Sequence, residues 1–184
     1  MMDLKYQEKK KNEVLYETNI IDRISWERKI NIGKKLAEIK NYPLLHLDRI
    51  FHIDHLNHIS REELLQKITA FAEINQSFII DGSYKSTLKE RLALADTVIF
   101  LKIDTKTCLE NIENRRLSNE PRSDMASGFD SSYQDPDFYR YVKAYQIDQW
   151  PLIYQCLKPA NHVRLIELDD YDEIALLIEK LKKD

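Results

Sequence analysis

FIIDGSYKSTLKERLALADTVIFL, residues 78–101, decides the fold. An unbroken apolar run stops at Asp81-Gly82, so the first part reads as a buried strand. STLKERLALA has helical spacing, and DTVIFLKI is a second apolar run. A strand, a short helix and a strand imply a βαβ crossover and parallel pairing. Neither strand alternates apolar with polar residues, so the sheet is expected to be covered on both faces.

The same alternation extends outward. Upstream, GKKLAEIKN reads as the end of an amphipathic helix and YPLLHLD as a strand closed by an acid. SREELLQKITAFAEIN opens with Ser60 and has Glu63 three residues on, a capping box ahead of a helix. Downstream, DTKTCLENIENRRL reads as a helix with an Asp cap, and SNEPRSDMASGFDSSYQD as an exposed loop. PDFYRYVKAYQIDQWPLIYQCL reads as a long helix bent at Pro151, followed by the strand HVRLIELD and the helix YDEIALLIEKLKK. Repeated strand–helix alternation predicts an α/β protein with a parallel central sheet. Ligands of such sheets bind at the carboxyl ends of the strands, where Asp48, Asp81 and Asp104 fall.

The 184 residues suit one domain, 1–184, with a proper core. A net charge of −3 offers nothing that attracts nucleic acid in bulk. No basic stripe or recognition helix stands out, so direct nucleic-acid binding is not expected. No apolar run approaches the roughly 20 residues of a membrane span. The N-terminus, MMDLKYQEKKKNE, has no apolar signal region. The two cysteines, Cys108 and Cys156, lack metal spacing, which suits a reducing cytoplasm.

Several side chains are candidates for chemistry. Asp81 is driven out of the top of its strand, as an acid near Mg²⁺ would be. Asp48 reads either as a helix cap or as a ligand of substrate or metal-bound water. Arg115, Arg116 and Arg122 bracket a polar loop, and guanidinium forks suit phosphate. Surface charge is the alternative for all three. Arg91 either reaches an acceptor phosphate or decorates its helix. His52, His55 and His58 recur every three residues, but no acids accompany them in fixed geometry, so a metal site is not expected.

HLDRIF, FIIDGSY, RLALADTVIFL and RRLSNEPRSDMASG, taken in order, resemble the DNA topology modulation (FlaR-related) proteins. These are P-loop proteins similar to adenylate kinases. The resemblance covers residues 33–184, nearly five-sixths of the chain. It implies a three-layer αβα P-loop NTPase fold, ATP and Mg²⁺, and a short Arg-bearing lid at residues 114–128. It also implies phosphoryl transfer to a small-molecule acceptor whose identity stays open. In that frame Asp48, Asp81, Arg115 and Arg122 are catalytic. Lys29 and Arg116 bind nucleotide, Arg91 binds the acceptor, and Asp81 orders Mg²⁺.

The family opens with a strand and then GxxxxGK[ST]. Counting back from GKKLAEI places that motif on RISWERKI, Arg23 to Ile30, where only Lys29 matches. Glycines let successive backbone N–H groups turn around a phosphate, and both are missing. Arg23 and Arg28 put Cβ atoms where close approach is needed. Ile30 cannot ligate Mg²⁺.

A second reading frame resolves the mismatch. Trp26 has the single codon TGG and Glu27 begins with G, so the codon one base later is GGG, glycine. Across Asp22 to Ile32 the shifted frame permits I-G-S-P-G-S-G-K-S-T-L, a complete phosphate loop in the expected register. Gly33-Lys34-Lys35 suits a purine run in which one lost base would join the two frames. Residues 1–32 are therefore expected to be out of frame. NEVLYETNIIDRI is left open as strand, helix or loose chain, and lowered stability and impaired ATP binding are expected. The alternative is a degenerate, non-catalytic relative that has lost nucleotide.

Overall fold

A computed structural model of the chain describes residues 13–17, 32–54, 56–118, 126 and 135–183. Five parallel strands form one sheet in the order β2-β3-β1-β4-β5. They are β1 (Glu13–Glu17), β2 (Leu44–His46), β3 (Ile79–Asp81), β4 (Thr97–Leu101) and β5 (Arg164–Leu168). The helices are α1 (Ile32–Lys40), α2 (Leu47–Phe51), α3 (Arg61–Ile74), α4 (Leu88–Leu94), α5 (Thr105–Ser118), α6 (Pro136–Asp148), α7 (Trp150–Leu157) and α8 (Tyr171–Leu181).

The apolar strands β3 and β4 are buried on both sides because successive residues point to opposite faces. Phe78, Ile80, Val98 and Phe100 enter one core with Leu64 and Ile68 of α3, Leu88 and Leu92 of α4, and Ile153 of α7. Ile79, Ile99 and Leu101 enter the other with Ile32 and Leu36 of α1, Cys108 of α5 and Ile174 and Ile178 of α8. Full burial of each such side chain is worth about 1.5–3 kcal/mol. Both cores therefore depend on alternate residues of the same two strands.

Local signals place several boundaries. Ser60 Oγ accepts from the Glu63 N–H at 3.1 Å and starts α3. Asp170 accepts from the Glu173 N–H at 2.9 Å and starts α8. The long helical stretch breaks at Gln149, and Pro151 sits in the first turn of α7, where its missing N–H costs nothing. The open N-terminal segment supplies a strand, Glu13–Glu17, between β3 and β4. Residues 18–31, including all of RISWERKI, lie outside the described residues.

One expectation needs correction. YPLLHLD does not run as a strand to Asp48: β2 ends at His46 and α2 begins at Leu47. Leu47 is fully buried and belongs to the α3–α4 core. Turning the chain there into a helix brings it inward, and Asp48 falls in the first turn, where an acid suits the helix dipole.

The strand order defines a crevice. β1 and β3 are neighbours, with Leu15 paired to Asp81. The helix after β1 packs on one face of the sheet, and the helix after β3 packs on the other. Neighbouring strands whose connections leave in opposite directions open a cleft at their carboxyl ends. Asp81 stands at that point.

Candidate functional site

Asp81 is the last residue of β3 and is 8% exposed. Its strand partner is His46, the last residue of β2. The parallel register puts both side chains at the same edge, with His46 Nδ1 2.8 Å from Asp81 Oδ2. The second oxygen, Oδ1, is buried with no hydrogen-bond partner among the described residues. A buried carboxylate oxygen in that condition calls for a water or an ion. The first turn of α1 closes against the same carboxyl. A Cβ on Gly33 would lie 3.2 Å from Asp81 Cγ and Oδ2. Only glycine lets a helix start approach an acid this closely without displacing it.

Gly82 follows with φ at +132°, and a Cβ there would lie 2.9 Å from Leu47 Cβ. The turn therefore needs glycine for its dihedral and for its contact with α2. Past it, a 3-10 turn at Lys85–Thr87 leads into α4. Arg91 of α4 is fully buried and holds this loop from below. Its Nη1 donates to the Gly82 carbonyl at 2.9 Å, its Nη2 to the Tyr84 carbonyl at 2.7 Å, and its Nε to Thr87 Oγ1 at 3.2 Å.

The loop so fixed presents Tyr84, whose hydroxyl donates to Asp48 Oδ1 at 2.7 Å. Burial, and then the Asp48 charge and hydrogen bond, push the Tyr84 phenol far above its ordinary value. It stays protonated and remains a donor to Asp48. Phe51 packs beside it with ring centroids 4.6 Å apart, and His58 stacks on Phe51 at 4.6 Å with the planes 13° apart. The edge over β2 and β3 thus combines two carboxylates, an imidazole, a phenol and an aromatic wall.

The other candidates sit elsewhere. Arg115 and Arg116 lie on α5, which continues to Ser118, so residues 114–118 of the expected lid are helical. Arg116 grips Glu113 with Nε at 3.1 Å and Nη2 at 2.6 Å, and the Tyr139 hydroxyl donates to the same carboxylate at 3.2 Å. Arg115 Nε lies 3.5 Å from the Asn111 carbonyl, one turn back on its own helix. Asp104 caps α5 by accepting from the Thr107 N–H at 2.9 Å. Cys108 is buried, which pushes its thiol up to about 12. Lys29, Arg122 and His55 lie outside the described residues. Among the described residues no group of three or more His, Cys, Asp or Glu side chains is placed to hold a metal ion. No helix among them is long and apolar enough to cross a membrane.

The structure brings Asp48, Asp81 and Arg91 into one neighbourhood, joined through Tyr84 and Gly82. Sequence reasoning passed over His46 and Tyr84. Their partners are 35 and 36 residues away, so no local spacing signals either contact. His46 was legible only by pairing the two strand ends, HLD with IID.

The described residues define a mixed α/β protein built on a parallel sheet, with an acid at its topological switch point. No protein-family model matches the chain, and no curated protein matches it.

Proposed function

We propose that the chain is a P-loop protein resembling nucleoside and nucleotide kinases, of the DNA topology modulation type, whose nucleotide binding is impaired by its present residues 22–32. The fold of the proposal is a three-layer αβα sheet protein. One observation carries the reading: Asp81 ends β3 at the switch point, and Gly33 of α1 abuts its carboxyl at 3.2 Å for a Cβ. The chain from β1 to α1 therefore ends beside a buried acid, the arrangement that lets a phosphate loop and an Mg²⁺-ordering acid share one site.

The two halves of that site fit the nucleotide unequally. Asp81, with one buried oxygen unpartnered, suits a metal-bound water. Residues 23–30 do not suit phosphate, because they carry no glycine and no hydroxyl after Lys29. As written, the chain has the acid without the cradle. In the proposal Arg115, Arg116 and Arg122 supply positive charge for a phosphoryl group, Lys29 and Arg116 belong to the nucleotide side, and Asp48 faces the acceptor. The same missing glycines favour the second reading, a non-catalytic relative that has lost ATP.

Calorimetric titration of Mg²⁺·ATP separates these readings. The chain as written is expected to give no binding in the micromolar range. The chain with residues 22–32 rewritten as IGSPGSGKSTL is expected to bind at micromolar concentrations. Micromolar binding by the chain as written overturns the impairment. A folded rewritten chain that binds no ATP overturns the P-loop reading.

A further inference from the structure

We infer that His46 is the positioning residue of Asp81: its Nδ1–H holds Oδ2 and leaves Oδ1 as the one oxygen offered to a hydrated divalent cation. The inference deepens the proposed function and rests on its reading of Asp81 as the acid beside Mg²⁺.

The backbone around His46 does not explain the residue. It stands at the N-cap position of α2. Ser, Thr, Asp and Asn are preferred there because their side chains accept from the first helical N–H groups. The His46 side chain makes no such cap bond. It reaches across to the neighbouring strand instead, where the parallel register pairs His46 with Asp81 and brings Nδ1 within 2.8 Å of Oδ2. The two side chains are only 15% and 10% exposed. An ionised carboxylate accepts and cannot donate, so the proton of that bond sits on Nδ1.

Two contacts converge on the same side of the carboxyl group. His46 donates to Oδ2, and the three atoms nearest a Cβ built on Gly33 are Asp81 Cγ, Oδ2 and Cβ, at 3.2, 3.2 and 3.3 Å. Oδ1 is not among them, and it is buried with no hydrogen-bond partner among the described residues. A free carboxyl group turns easily about its last torsion. A donor fixed on one oxygen removes that freedom and decides which oxygen a ligand meets. A buried polar pair with an oxygen left over is a poor source of stability. Orienting a ligand-bearing carboxylate is a better account of it. Partners that orient metal-binding carboxylates typically cost about 10–100-fold in metal affinity when removed.

Mn²⁺ is the probe, and its binding to the full chain as written is read from the relaxation of water protons. Asp81→Asn defines the part of that binding that belongs to the site. His46→Asn and His46→Ser form the informative pair. Both new residues are good N-caps, so both suit the start of α2. Asn carries an N–H donor as many bonds from the backbone as His46 Nδ1, whereas the Ser hydroxyl is one atom too short to reach Asp81. His46→Asn is expected to keep the Asp81-dependent affinity. His46→Ser is expected to lose about ten-fold or more of it, in a protein whose melt shows it folded. Equal affinities in the two variants overturn the inference, and so does Mn²⁺ binding that Asp81→Asn leaves unchanged. Nitrogen NMR of the His46 ring tests the bond without any variant: a proton on Nδ1 is expected, and a bare Nδ1 overturns the inference. Absence of ATP binding in the folded rewritten chain, with the His46 variants behaving as stated, would instead remove the P-loop reading and leave His46 in its role.

Discussion

Asp81 and Asp104 follow apolar runs that look alike in sequence, FIID and VIFLKID, yet the structure uses them in opposite ways. Asp104 is exposed and spends its carboxyl on the first turn of its own helix, through Thr107. Asp81 is nearly buried, pairs with His46 from another strand, and leaves one oxygen unpartnered. A cap is satisfied within a few residues of its own helix. An acid fixed by neighbours far away in sequence, with an unspent oxygen, is placed for a ligand. The difference is set by what packs above each strand end: the glycine turn of α1 over β3, and a solvated helix start after β4.

The contrast can be pressed from the Asp81 side first. Arg91→Ala would leave the part-buried carbonyls of Gly82 and Tyr84 without these donors, at roughly 1–3 kcal/mol for each unsatisfied group. A loss on the order of 3 kcal/mol is expected in urea unfolding, with Tyr84 released from Asp48. A loss under about 1 kcal/mol would mean the loop is not held by Arg91.

The Asp104 side should give a smaller and pH-dependent effect. Asp104→Ala is expected to cost about 1 kcal/mol, as loss of a helix cap does. The Thr107 hydroxyl and N–H hold the Asp104 carboxyl below its ordinary value of 3.8. A carboxyl depressed in the folded state stabilises above its unfolded value and loses that contribution as pH falls through the folded one. The gap between the chain and Asp104→Ala should therefore be flat above about pH 5 and close below pH 4. A gap that widens on acidification would show that Asp104 acts through something other than its ionised cap.

Much of the framework was legible in the sequence because its causes are local. Ser60 with Glu63, Asp104 before α5 and Pro151 at the break each act within one helical turn. The apolar strands announced a covered parallel sheet for the same reason. What stayed illegible depends on long-range register. His46 meets Asp81 only because β2 and β3 pair in parallel at those residues. Arg91 looked like a surface or ligand cation because no local pattern reveals that its helix packs under the Gly82 turn. Asp48 looked like a strand end because burial of Leu47, a tertiary effect, turns the chain into α2.

We propose that residues before about Gly33 are read in the wrong frame, while those after it keep the acid side of a nucleotide site. Sequencing the coding DNA from codon 10 to codon 40 tests it most directly. The account predicts bases that spell IGSPGSGKSTL one frame over, in register with Asp22 to Ile32, with a purine run at Gly33-Lys34-Lys35. Codons that cannot spell that motif would contradict it and leave a naturally degenerate relative of the fold.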